Sequence, residues 1–289
     1  MSEIRTIDKV CLIIDTCVWL NMGKTSKELI DKLNYVMYEN KVFLLIPEQI
    51  KTEWNRHKHS KIVTDIENNI KGSIKNSKKI LDHVSNDDEA RVFLEIIKKV
   101  EDRKDSIIQS ISEESIFKID LMMASSRHSH TILPTPTVIE QVLDWGLSQK
   151  KPFQQNKNST GDALIILSAL EYLKENQFTK AIFVTANYRD FSSPDPKIIH
   201  SDLEPLFNEV GLEYSINIAE VINEIHENAL SQEIVNDMYP RYYGVNSFEC
   251  PECKIDMNGY YRLGQFGLTY HYQCPQCRKL IDTGEEMDG

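Results

Sequence analysis

Four cysteines stand in two Cys-x-x-Cys pairs, Cys250-Pro-Glu-Cys253 and Cys274-Pro-Gln-Cys277, with twenty residues between the pairs. That spacing lets four thiolates surround one tetrahedral zinc ion, and few other local folds use it. The proline after the first cysteine of each pair fixes a backbone dihedral in the tight turn that presents both sulfurs to one ion. Two disulfides could use the same residues, but they fit poorly with a chain carrying no export signal, because the cytosol keeps thiols reduced. Glu3, Arg5, Asp8 and Lys9 precede a short apolar run that ends at Asp15, a start too brief and too charged for a signal peptide. The other apolar runs, such as Val42 to Ile46 and Ala163 to Leu167, fall far short of the roughly 18 residues that cross a membrane. The expectation is a cytoplasmic protein with no membrane segment. Between the pairs, Gly259, Tyr260, Tyr261, Leu263, Phe266, Tyr270 and Tyr272 read as a small β-hairpin. Residues 245–289 are thus expected to form a zinc ribbon held by Cys250, Cys253, Cys274 and Cys277, after a linker at 231–244.

Residues 1–230 read as an α/β domain. Hydrophobic residues make up 41% of the 289-residue chain and charged residues 27%, enough apolar surface to build a core and too much for global disorder. Apolar runs at Val10 to Ile14, Val42 to Ile46, Ala181 to Thr185 and Tyr214 to Ile216 predict four strands, the second halted by Pro47. Helical periodicity marks Lys27 to Glu39, a long stretch from Glu48 to about Met123 with breaks near Ser85 to Asp88 and around Asp105, Ser159 to about Asn176, and Ile218 to about Ala229. A short helix is expected from Thr137, where Thr137-Val-Ile-Glu140 has the form of a capping box, followed by a polar loop from Gln149 to Ser159. Strands alternating with helices imply a parallel sheet with helices on both faces, here carrying a large helical insertion at about 55–130.

In such sheets the functional crevice lies at the carboxyl ends of the strands, near the point where strand order reverses. Acids gather at those positions. The first strand runs straight into Asp15-Thr16, a carboxylate that is costly to bury unless it binds something. Thr185, Asn187 and Asp190 follow the strand that begins at Ala181, Asp162 opens the helix before it, and Glu53 lies on the helix after Pro47. Glu48 competes with Glu53, although its place in the first turn also suits the helix dipole. Carboxylates brought to one point repel unless a cation holds them, and hard oxygen donors select Mg²⁺ or Mn²⁺. A metal held so can activate water and neutralise charge on a phosphodiester.

At these residues the chain resembles the PIN-domain nucleases, and in particular PIN-like proteins with a large insertion. The matching pieces are Ile14-Asp15-Thr16, Pro47 with Glu53, Lys151-Pro152-Phe153 ahead of Gly161-Asp162-Ala163-Leu164-Ile165, Phe183-Val184-Thr185-x-Asn187-x-x-Asp190-Phe191, and Ile199-His200-x-Asp202-Leu203. The resemblance implies a metal-dependent endoribonuclease. Its Mg²⁺ or Mn²⁺ would be held by Asp15, Glu53, Asp162 and Asp190, with Thr185 and Asn187 as polar partners. Many PIN domains carry an aspartate where this chain has Asn187, which leaves Asp190 as the one acid of that motif. A toxin or phage-defence role is compatible with the family, as is a protein inhibitor. Other phosphoryl-transfer folds fit less well: a haloacid-dehalogenase phosphatase needs an acid where Cys17 stands, and a Rossmann fold needs a glycine-rich turn where Asp-Thr-Cys-Val-Trp stands.

The net charge of −11 is unusual for a nucleic-acid binder, but its distribution is uneven. Residues 51–80 hold eight Lys or Arg against three acids, a local excess of five. Lys51, Arg56 and Lys58 beside Glu53, with Lys151 and Lys157 in the polar loop, are the candidate phosphate contacts, although a basic helical stretch is commonly just a solvated face. His57, His59, His128 and His130 read as surface residues, Cys11 and Cys17 as small core hydrophobes, and His200 as a structural hydrogen-bonding group. The ribbon either stabilises or contacts RNA or protein, its aromatic residues being able to stack on bases. Two further readings use the same residues: a catalytically silent PIN scaffold binding RNA or a protein, favoured by Asn187, and a DNA nuclease, since nothing here reads a 2′-hydroxyl.

Overall fold

The computed structural model describes residues 5–25, 27–84, 86–153, 159–227, 229–240, 252–253, 258–264, 267–274 and 276–286. The chain divides into two compact units, Met1–Tyr239 and Pro240–Gly289. In the first unit, β1 (Arg5–Ile14), β2 (Val42–Pro47), β3 (Ser129–Ile132), β4 (Asn176–Val184) and β5 (Leu212–Ser215) form one sheet in the order β3-β2-β1-β4-β5. Every neighbouring pair is parallel. The central strands are apolar on both faces, with Cys11 to Ile14 and Ala181 to Val184 all buried, as a sheet sandwiched between helices requires.

The helices of this unit are α1 (Thr16–Thr25), α2 (Lys27–Tyr38), α3 (Glu48–Lys79), α4 (Asp87–Asp102), α5 (Lys104–Ala124), α6 (Pro136–Ser148), α7 (Thr160–Glu175), the single turn α8 (Tyr188–Phe191), α9 (Glu204–Val210), α10 (Ile218–Ile225) and α11 (Gln232–Asp237). The first, second, third and fifth pack together, while α7 packs on α6, α9 and the sheet. Trp19, Trp54, Phe183, Phe191 and Phe207 are the largest fully buried side chains. In the second unit, β6 (Asn258–Gly264), β7 (Gly267–Gln273) and β8 (Leu280–Glu286) form an antiparallel sheet.

Several details differ from the sequence expectation. The sheet has five strands, not four: Ser-His-Thr-Ile at β3 is too short and too polar to announce itself, and it pairs at the edge of the sheet beside β2. Helix α1 begins directly after Asp15, where only a strand end was expected. The N-cap of α6 is Thr135, whose hydroxyl accepts from the Val138 amide, with Pro136 in the first turn; the Thr137 capping box does not form. The antiparallel sheet of the second unit contains a third strand beyond the expected hairpin. Phe266, one of the residues read as part of that hairpin, lies outside the described residues.

Candidate active site

The strand order reverses at β1 and β4, because β2 and β3 extend the sheet on one side of β1 and β4 and β5 on the other. Register places Ile14 opposite Val184, so the next residues, Asp15 and Thr185, meet at the carboxyl end of the sheet. The Thr185 hydroxyl donates to Asp15 Oδ2 at 2.5 Å. Cys17 Sγ, in the first turn of α1, donates to the same oxygen at 3.1 Å and lies 3.6 Å from Thr185 Oγ1. Cys17 packs against the core, as expected of a small hydrophobe, and also joins the side-chain network of Asp15. Thr185 Oγ1 in turn accepts from the Asn187 amide at 3.0 Å, and Asn187 Nδ2 donates to Asp190 Oδ2 at 2.5 Å. A continuous chain of hydrogen bonds thus ties the buried Asp190 to Asp15.

Burial dominates the electrostatics. Asp15 is 4% exposed, and desolvation pushes its carboxyl above the ordinary range; the bonds from Thr185 and Cys17 pull the other way, and the charge of Glu53 adds to the rise. The Cys17 thiol is raised strongly, by burial first and then by the charge of Asp15. The same two neighbours, after burial, raise the Tyr214 phenol.

A cleft of about 440 Å³ opens between the start of α3 and the start of α7, lined by Gln49, Glu53, Arg56, Thr160, Gly161 and Asp162. Gln49 Nε2 donates to Glu53 Oε1 at 2.7 Å and holds that carboxylate one helical turn away. Gly161 makes the approach possible: a Cβ there would stand 2.6 Å from Glu53 Oε1 and 3.0 Å from Gln49 Nε2. The sequence marks Asp162 as a candidate metal ligand, but it gives no sign of the close approach at Gly161 or of the Gln49 clamp. Glu53 is therefore the shared member, lining the cleft with Asp162 and felt electrostatically by Asp15.

The four acids do not close into one tight cluster. Among the described residues, the group of three ligand atoms all within 4.8 Å of one another is Cys253, Cys274 and Cys277; no three of Asp15, Glu53, Asp162 and Asp190 approach so closely. Like charges carried on separate elements stand apart unless something bridges them. The donors nevertheless fit a hard divalent cation. They are carboxylates, no ion pair joins Asp15 to a basic side chain among the described residues, the buried Thr16 Oγ1 has no hydrogen-bond partner, and Gly161 keeps open the space beside Glu53.

The expected phosphate contacts divide. Arg56 is exposed and lines the cleft, and Lys51 lies on the same helix, partly buried. Lys58 is engaged within the fold: its ammonium bonds both oxygens of Asp120 at 2.7 and 2.9 Å, beside the Trp54 indole N–H, which donates to the same carboxylate at 2.7 Å. Lys151 Nζ donates to the Arg189 carbonyl at 2.9 Å. Lys157 lies outside the described residues. Lys71 and Lys78 pair with Glu67 and Glu101, so part of the basic stretch is neutralised locally. His128, expected at the surface, is buried in the turn entering β3, and His200 accepts from the Asp202 amide, as expected of a structural group.

In the second unit Cys274 and Cys277 occupy a turn in which the Cys277 amide donates to Cys274 Sγ at 3.4 Å and the Cys274 amide donates to the Lys279 carbonyl at 2.9 Å. Arg278 takes the left-handed conformation that closes it, with φ of 59°. Amide bonds to sulfur stabilise thiolates, and three convergent thiols suit a soft-accepting ion such as zinc. The fourth expected ligand, Cys250, lies outside the described residues.

Comparison with known families bears on the first unit: the family profile of the PIN domain matches residues 12–191, more than half of the chain. The chain belongs to the PIN-domain family. Searches of curated proteins and of solved structures returned no match. The matched span starts in β1 and ends at Phe191, so it contains Asp15, Glu53, Asp162, Thr185, Asn187 and Asp190. PIN domains are generally metal-dependent nucleases acting on nucleic acids, and this one has the nuclease-type fold. Among the described residues no helix is long and apolar enough to cross a membrane.

Proposed function

We propose that this PIN domain is a Mg²⁺- or Mn²⁺-dependent endoribonuclease, with catalysis in residues 1–230 and a zinc ribbon at 245–289. The observation that carries the reading is the cleft that Glu53 and Asp162 share with Arg56, next to a buried Asp15 that feels the charge of Glu53. Asp15, Glu53 and Asp162 hold the ion. When bound, the ion supplies an activated water and neutralises charge on the phosphodiester. Asp15 Oδ2 is taken by Thr185 and Cys17, which fixes the carboxylate and leaves Oδ1 outside that pair of bonds. Gln49 fixes Glu53 in the same way. Asp190 and Asn187 brace Thr185, and Asp190 completes the ligand set if the site takes a second ion. Arg56 holds a neighbouring phosphate through charge-assisted hydrogen bonds, and Lys51, Lys151 and Lys157 follow the RNA backbone.

A silent RNA- or protein-binding scaffold is the second reading, favoured by the bond that Asn187 makes to Asp190. One experiment separates the two. The full chain is incubated with labelled single-stranded RNA and matched DNA in Mn²⁺, in Mg²⁺ and in EDTA, with Asp162→Asn alongside. Metal-dependent RNA cutting that falls about 10²- to 10³-fold in the variant is expected. Equal cutting of DNA would make the enzyme a general nuclease, and RNA binding without cutting would support the scaffold.

A further inference from the structure

Helix α4 carries an apolar face that its own unit leaves uncovered. It packs against α3 and α5 and buries only Ile97. Val92, Ile96 and Val100 are 53%, 54% and 38% exposed. They sit at i, i+4 and i+8, so they stack along one side of the helix. The same side is closed at one end by Glu89, three residues before Val92, and at the other by Arg103, three residues after Val100, both exposed. Neither side chain has an ion-pair partner among the described residues.

This face reads the same backwards with its charges exchanged. We propose that α4 is a self-association surface, and that its partner is a second copy of this chain packed antiparallel about a two-fold axis at Ile96. In that arrangement Ile96 meets Ile96 of the second copy, Val92 meets Val100, and Glu89 meets Arg103 at both ends. A parallel pairing would set Glu89 against Glu89 and Arg103 against Arg103. Charge complementarity therefore selects both the partner and the orientation, as in antiparallel helix pairs. A nucleic acid fits this face poorly, because Asp87, Asp88 and Glu89 crowd the first turn of α4.

The helix is 16 residues, about 24 Å long, so the interface lies near the lower limit of specific contacts, roughly 1,000 Å² in total. A dissociation constant of about 1–100 µM follows for such a contact.

Sedimentation equilibrium of the full chain over that concentration range tests the proposal, with circular dichroism confirming that each variant is folded. The parent is expected to pass from one chain mass to two. Ile96→Glu, which places two carboxylates at the axis, weakens association by at least about 30-fold. Glu89→Arg and Arg103→Glu each weaken it when alone, yet an equimolar mixture of the two associates, because each end then pairs opposite charges. Leu143→Glu, on a different exposed apolar stripe (Ile139, Leu143 and Leu147 of α6), leaves the dimer intact. A parent that stays at one chain mass throughout overturns the proposal, as does a dimer that survives Ile96→Glu or a mixture that fails to associate.

Discussion

Around Asp15 the protein itself orders much of the candidate site: strand register, the Thr185 and Cys17 bonds, the Gln49 clamp and a large apolar core hold Asp15 and Glu53 in place. Around Cys253, Cys274 and Cys277 it supplies much less. Among the described residues of the second unit, the buried side chains are Cys274 and His271, and a three-stranded sheet of such size builds little core. A preformed site of the first kind would use a metal for chemistry, whereas a site of the second kind would use one to fold. The two centres should therefore respond oppositely when their ions are taken away.

The sharpest way to break that contrast is selective removal of zinc. Binding of a structural zinc contributes on the order of 10 kcal/mol to small metal-held units. A zinc-selective chelator, or Cys274→Ser, is expected to make residues 240–289 sensitive to protease while Met1–Tyr239 keeps its melting transition; a second unit that stays resistant would show that the thiols do not hold it. Next in size is Gly161→Ala, where the added methyl must displace Glu53 Oε1 from 2.6 Å. Cleavage should fall about 10- to 100-fold through kcat, with little change in melting. Arg56→Ala, which on the proposed reading removes a phosphate contact and nothing else, should raise KM about tenfold, leaving kcat and stability near the parent. Lys58→Ala sharpens the picture from the other side. Its partner Asp120 is 40% exposed, so the loss should be about 1 kcal/mol or less of stability, with RNA binding unchanged. Weakened RNA binding in that variant would return Lys58 to the substrate surface.

What could be read from the residues alone was whatever depends on local pattern. The apolar runs at Val10 to Ile14 and Val42 to Ile46 are strands because nothing else buries so much in so few residues, and Asp15 stands out because it ends one of them. The breaks expected near Ser85 to Asp88 and around Asp105 fall close to Asn86, whose side chain caps α4, and to Arg103, where α4 ends. What escaped depends on contacts distant in sequence. Lys58 looks like a phosphate ligand until Asp120, 62 residues away, takes it. Cys17 packs against the core as expected, but its contact with Thr185, 168 residues away, could not be seen in the sequence. Gly161 looks like helix punctuation until Glu53 is seen against it. β3 escaped for a different reason: as an edge strand it needs few apolar residues, and Ser-His-Thr-Ile carries no alternation to detect.

The central claim is that Asp15 is present for chemistry and not for folding, and its burial makes the two separable. Because burial raises its pKa, the stability that protonated Asp15 contributes is fully present below the ordinary carboxylate value of about 4 and is lost as pH rises and the buried group is forced to ionise. Asp15→Asn has nothing to titrate there. Without added Mg²⁺ or Mn²⁺, the variant should melt at or above the parent temperature, by a margin that grows from pH 4 to pH 7. The most direct measurement is the single-turnover rate of RNA cleavage by Asp15→Asn in Mn²⁺ beside the parent, at a pH where both are folded. A fall of about 10³-fold in a protein that melts no lower is the predicted result. A variant that cuts as fast as the parent would contradict the account and move the catalytic centre elsewhere.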